Sequence, residues 1–248
     1  MFAKSIMAVL SVIIFSTASQ AQEARLRVGT NPDGAPMSFR DSTSGSFLGV
    51  SVDLLTQIAK DAGFQVEYTP MPLGELIPAL QASRIDVIAA NLLATPERRT
   101  LIDFSETYHT GGDALVVPMR DRREYKSIAD LKEMVVGAQK GSAQLAAIQA
   151  TGLFPDVKVF DNIESVMREL SRGGLAAGIV GGTSARYQLH LGKFPDLRLV
   201  TAYQPTFVSG IAFGVRKGNS ELLEKINRSL AKLQADGTLR KILASYGL

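Results

Sequence analysis

The sequence predicts an α/β protein of two lobes around a cleft. Two full cycles of short β-branched or apolar runs alternating with amphipathic helical stretches carry this expectation, because such alternation feeds parallel sheets covered by helices. A polar stretch, MRDRREYKSIAD, separates the cycles, and a last strand and long helix follow the second one. The chain therefore crosses between the two units more than once.

Each element has a local reason. Leu26 to Thr30 reads as the first strand, and Val52 to Ala62 places Leu54, Leu55, Ile58 and Ala62 on one helical face. Gly63 is a helix stop, and FQVEY alternates as a strand should. A short helix from Leu76 to Ala82 leads into IDVIAA, an apolar run suited to a sheet buried on both faces. In the second cycle VVGAQ is a strand, Ser142 to Ala150 a helix, VKVF a strand, Asn162 to Leu170 a helix and AAGIV a strand. GIAFGV then forms one more strand. Asn219 opens a helix along Leu222, Leu223, Ile226, Leu230 and Leu233; Asp236-Gly237 interrupts it, and a short helix reaches Tyr246. The crossings are expected near Ala114–Val117 and Thr206–Ile211, giving one lobe from 22–116 with 207–248 and a second from 117–206.

Composition narrows the function classes. A hydrophobic fraction of 46% with 21% charged residues is ordinary for a globular protein and argues against wholesale disorder. The net charge is +3, but basic residues are interleaved with acids, so the pattern gives no support to nucleic-acid binding. Residues 1–21 combine Lys4, an apolar run from Ile6 to Phe15 and a small-residue site ending at Ala21. This is the order of a cleaved secretory signal peptide, and the run is shorter than the ~20 residues a bilayer span needs. There is no cysteine, hence no N-terminal lipid anchor, disulfide or thiolate metal site. The expected location is the periplasm, and the expected state a monomer.

Catalytic constellations are missing. His109 and His190 are far apart and lack ligand-type neighbours, and the pairs Gly111-Gly112 and Gly173-Gly174 lack a phosphate-loop lysine. Two features point instead to anion binding. Thr95 has the residue type of an N-cap and Pro96 suits the first helical position, so Arg98 falls in the first turn of a helix at a strand end, where a guanidinium can hold a carboxylate through two bonds. A surface salt bridge to Glu97, Asp103 or Glu106 is the competing role for Arg98. In QKGSAQLAA, Gly141-Ser142 opens a helix right after a strand, aiming free N–H groups at the cleft.

LRVGTNPDGAPMSF, GVSVDLLTQIAKDAG, ELIPALQASRIDVIAA, TPERRTLIDFSETY, SIADLKEMVVGAQKGSA, GIAFGVRKGN and LAKLQADGTLRKILASYG together resemble the periplasmic solute-binding proteins of polar amino-acid ABC transporters, the bacterial family 3 type. The resemblance spans nearly the whole chain after the signal segment. It implies a type II periplasmic-binding-protein fold, each lobe a mostly parallel sheet flanked by helices, with two crossing hinge segments. It further implies no cofactor or metal, an ABC permease as partner, and a small carboxylate-bearing solute, amino acid or organic acid, as ligand. By resemblance Arg98 grips the ligand carboxylate, Ser142 and Gly141 of the QKG turn add contacts to the same group, and Asn91 and Leu93 contact the ammonium and carboxylate.

Several positions depart from the family. Leu93 stands where a hydroxyl is usual, Gly181 where an acid commonly pairs with the ligand ammonium, Ser51 at the usual Asp of the G-F-D turn, and Gly34 near a usual aromatic. Asp33, Glu75 and Asp113 are the candidate replacement acids. The resemblance also extends to cyclohexadienyl (arogenate/prephenate) dehydratases, enzymes on the same fold, but Gly181 to Tyr187 contains no acid to act as proton donor. A sensory or accessory binder is a third reading.

Overall fold

A computed structural model describes residues 24–248; the signal-peptide reading of residues 1–21 lies outside them. A five-stranded and a six-stranded sheet organise the chain. The first runs in the order Phe64–Pro70, Ala24–Thr30, Val87–Ile88, Gly214–Arg216, Ile102–Phe104, and only Gly214–Arg216 is antiparallel to its neighbours. In the second, Val157–Phe160, Val136–Gln139 and Ala177–Gly181 are parallel, followed by His109–Pro118 antiparallel and Leu197–Leu199. Mostly parallel strands buried on both faces explain the continuous apolar runs in the sequence.

Helices cover both faces of each sheet. Val50–Ala62 starts after Gly49 and ends at Gly63, whose φ of 72° is the left-handed conformation that closes a helix without a Cβ penalty. Its Val50, Leu54, Leu55 and Ile58 are fully buried beside Ile226 and Leu230 of the Ser220–Ala235 helix. In the second lobe Ile163–Ser171 packs Val166, Met167 and Leu170 under Val116 and Val180.

The sheets are joined by a ribbon in which His109–Gly112 pair antiparallel with Val208–Ile211. Beyond it, Asp113–Val116 pair with Gly178–Gly181 and so lie inside the second sheet. Asp113, 3% exposed, anchors the ribbon: its carboxylate accepts from the Tyr203 hydroxyl at 2.5 Å and from the Phe207 N–H at 3.2 Å. Asp113→Ala removes the acceptor of the Phe207 N–H and leaves the Tyr203 hydroxyl only Thr206, 3.1 Å away, so chemical denaturation is expected to show a loss of about 1–3 kcal/mol.

Three differences from the sequence reading have physical causes. GIAFGV is two strands, because Ile211 pairs in the ribbon while Gly214 pairs in the first sheet, and buried Phe213 sits where the chain changes partner. IDVIAA keeps only Val87–Ile88 in the sheet, after which the chain turns toward the cleft. A small sheet of Asp33–Gly34, Ser38–Arg40 and Phe47–Leu48 was not expected, since two- and three-residue strands carry too little alternation to read.

Candidate functional site

The cleft between the lobes is a concave space walled by residues of both lobes, among them Asn31, Asn91 and Arg98 of the first and Ser142, Gln144 and Thr183 of the second. The chain enters it from the first sheet at Ala89–Leu93 and turns into the Pro96–Leu101 helix, where the Thr95 hydroxyl accepts from the Arg98 N–H at 3.4 Å and Pro96 occupies the first turn. That local geometry separates the two arginines. Arg98 reaches back along the strand end, donating from Nη1 to the Leu93 carbonyl at 2.9 Å and from Nη2 to the Gly141 carbonyl, across the cleft, at 3.0 Å. Arg99 is exposed, donates from Nε to the Ala94 carbonyl at 3.2 Å and lies 5.4 Å over the Phe104 ring. Both bonded partners of the Arg98 guanidinium are neutral carbonyls, and burial pushes its pKa down to about 10 against the opposing pull of Glu97. A carboxylate in the cleft would relieve that cost.

From the second lobe, the Val136–Gln139 strand leads through Lys140 to Gly141, whose φ of 72° turns the chain into the Ala143–Thr151 helix. Ser142 caps this helix, its hydroxyl oxygen accepting from the Leu145 N–H at 3.1 Å, so the earlier N–H groups stay free toward the cleft. Ser142→Ala is expected to lower stability by about 1 kcal/mol and Ser142→Gly by only a few tenths, as read from thermal melts without ligand.

The structure brings together in the cleft wall Arg98, Ser142, Asn91, Leu93 and Gly181 of the sequence-derived candidates. Gly141 adjoins them as the acceptor from Arg98. Leu93 bridges through its backbone to Ile211 and is buried, 6% exposed as a whole residue. Asn91 spans the lobes, its Nδ2 donating to the Ser184 hydroxyl at 3.1 Å.

Ser51 and Asp33 lie outside this wall. The Ser51 hydroxyl is fully buried, 2.9 Å from the Tyr108 hydroxyl and 3.3 Å from the Ala90 carbonyl, where it ties the Val50–Ala62 helix to the segment that carries Asn91. Asp33 is exposed beside the lining residue Gly34, and burial with nearby Glu164 raises its pKa. Of the other replacement acids, Glu75 is exposed and Asp113 is held by Tyr203 and Phe207. His109 stands half-buried in the ribbon with its pKa lowered by burial and by Arg186, while His190 is exposed at a helix end.

The sequence reading missed Asn31, Gln139, Gln144 and Thr183, all nearly buried polar residues in the wall. Gly111 and Gly112 line the cleft from the ribbon, and a Cβ on Gly112 would stand 2.6 Å from the Phe207 carbonyl. Thr183 carried a readable signal: it follows two glycines at the strand end, the place where α/β sheets present side chains to ligands.

Two α/β lobes hinged on a ribbon, with an arginine of one lobe bonded to a helix-opening turn of the other, define a type II periplasmic binding protein. The chain belongs to the bacterial extracellular solute-binding proteins, family 3, whose family model matches residues 26–248. It is 28% identical over 235 residues to the arginine-binding extracellular protein ArtP of Bacillus subtilis (strain 168), covering 92% of this chain and 88% of that protein. Among solved structures it is similar to an ancestral arginine-binding protein bound to glutamine, with a TM-score of 0.82, 36% identity and coverage of 91% and 98%. It is also similar to the ancestral amino acid-binding protein AncCDT-1, a precursor of cyclohexadienyl dehydratase, with a TM-score of 0.79, 31% identity and coverage of 90% and 95%.

Proposed function

We propose that this protein captures a small carboxylate-bearing solute by closing its lobes and presents it, as an exported periplasmic monomer, to an ABC permease. The observation that carries the reading is the Arg98 guanidinium, half-buried at the meeting of the lobes with bonds to carbonyls of both. Arg98, Ser142, Gly141, Asn91 and Leu93 form the carboxylate end, and Gly181 faces them. In this reading the 109–112 and 208–211 ribbon serves as the hinge, and the pairing of Asp113–Val116 with Gly178–Gly181 supports a first-lobe boundary near 112 rather than 116.

A binder rather than an enzyme is supported by the cleft wall, in which no Asp, Glu or His stands among the described residues to serve as general acid or base. The test is a thermal-shift screen of the exported protein against amino acids, opines, oxo acids and dicarboxylates. A true ligand at a hundred times its dissociation constant should stabilise the fold by ~2.7 kcal/mol. Aromatic product formed from prephenate or arogenate would overturn the assignment.

A further inference from the structure

Arg98 is the one charged side chain among the described residues of the cleft wall, which contains no carboxylate to balance a ligand cation. The end of the cleft formed by the second lobe is rich in donors. The Gly182–His190 helix starts there with Gly181 at its N-cap, which has no side chain to cap the first N–H groups. Thr183, in that first turn, is 3% exposed, and its Oγ1 is buried without a hydrogen-bond partner. The Ala143–Thr151 helix adds a second N-terminus to the same space. Both helix dipoles therefore add positive potential to that of Arg98.

From this arrangement we infer that the cleft selects a short carboxylic acid whose second polar group is a hydrogen-bond acceptor, as in a 2-oxo or dicarboxylic acid, over the amino acid of the same carbon skeleton. The inference rests on the carboxylate reading above and names its ligand class. Arg98 takes one carboxylate; the Thr183 hydroxyl and the free N–H groups of the Gly182–His190 helix donate to the second group. A protonated amine placed there meets a helix N-terminus and no countercharge, an arrangement that is strongly unfavourable in a closed site. The Asn91 amide oxygen can accept one bond from an amine but supplies no charge.

Gly181 leaves the space for this second group. A Cβ built there would sit 3.7 Å from Asn91 Nδ2, 3.8 Å from Ile163 Cδ1 and 3.9 Å from Gln144 Nε2, all ordinary contacts, and its φ of −62° suits any L-residue. An acid at this position can therefore be accommodated, and it would turn a donor-lined pocket into one that holds an amine.

The experiment is titration calorimetry of the exported protein with matched compounds: alanine against pyruvate, aspartate against succinate, and glutamate against 2-oxoglutarate. For whichever skeleton binds, the oxo or dicarboxylic compound is expected to bind at least tenfold tighter than the amino acid, and the ranking among pyruvate, succinate and 2-oxoglutarate separates oxo from dicarboxylate recognition. Gly181→Asp should reverse the preference, and Thr183→Val should weaken the oxo or dicarboxylic ligand about tenfold with an unchanged melting temperature. An amino acid that binds as tightly or more tightly overturns the inference while leaving the carboxylate reading intact. Binding of these acids that survives Arg98→Ala, or no binding of any of them, overturns both. A Gly181→Asp variant that folds and keeps the wild-type preference also overturns the inference.

Discussion

Arg98→Ala is expected to weaken binding of the preferred acid by about 1.5–3 kcal/mol or more, roughly ten- to a hundredfold, while Arg99→Ala leaves affinity unchanged. The contrast follows from where the two guanidinium groups lie. Each reaches back five residues to a strand-end carbonyl, Arg98 to Leu93 and Arg99 to Ala94. Only Arg98 also bonds the opposite lobe, through Gly141, and only Arg98 lines the cleft. Charged hydrogen bonds to a ligand in a space closed to water are worth more than exposed ones, and Arg99 is exposed against Phe104. Arg98→Lys is the informative second variant: it keeps the charge but cannot span the Leu93 carbonyl, the Gly141 carbonyl and a carboxylate together, so it should recover only part of the lost affinity. Isothermal titration of the three variants measures all of this, and equal losses at positions 98 and 99 would remove the carboxylate clamp from the account.

Gly141→Ala should abolish closure without unfolding the lobes. A Cβ on Gly141 would stand 2.4 Å from the Gly74 Cα and 2.8 Å from the Gly74 nitrogen, both backbone atoms of the opposite lobe that cannot move aside alone. The residue also has a φ of 72°, which costs an L-residue about 1 kcal/mol even in open space. Gly152 separates the two effects, since its φ is 63° and nothing lies within 4 Å of its Cβ position. Both alanine variants should therefore lose a similar ~1 kcal/mol in thermal stability. Only Gly141→Ala should lose ligand-dependent compaction in small-angle scattering, with affinity reduced in proportion to the lost population of the closed state. If both variants close normally on ligand, the contact between Gly74 and Gly141 does not limit closure.

These two glycine-dependent and arginine-dependent features differ in how far the sequence reveals them. Arg98 was legible because its placement is local: Thr95 and Pro96 set a helix start, and three residues later the guanidinium has one strand end within reach. Ser142 was legible for the same reason, as the cap of a helix that follows a strand by two residues. The helices around them were legible from their buried faces, as with Leu54, Leu55 and Ile58.

What was not legible depends on chain segments far apart. The glycines before Thr183 mark a strand end, but they do not show that the Gly182–His190 helix starts against a wall shared with Arg98, far earlier in the chain. Ser51 shows the opposite failure. It stands at the usual Asp of the G-F-D turn, a position the sequence offers as a ligand contact, but its hydroxyl is turned inward to Tyr108 and Ala90. Asp113 likewise looked available as a countercharge until the fold brought Tyr203, from 90 residues later, onto its carboxylate.

The most direct test is a crystal structure of the exported protein with its tightest-binding acid. The account predicts closed lobes, with a ligand carboxylate within hydrogen-bond distance of the Arg98 guanidinium and the Ser142–Gln144 helix start, and an acceptor group against Thr183. A carboxylate bound elsewhere, with Arg98 turned out to solvent, would contradict it.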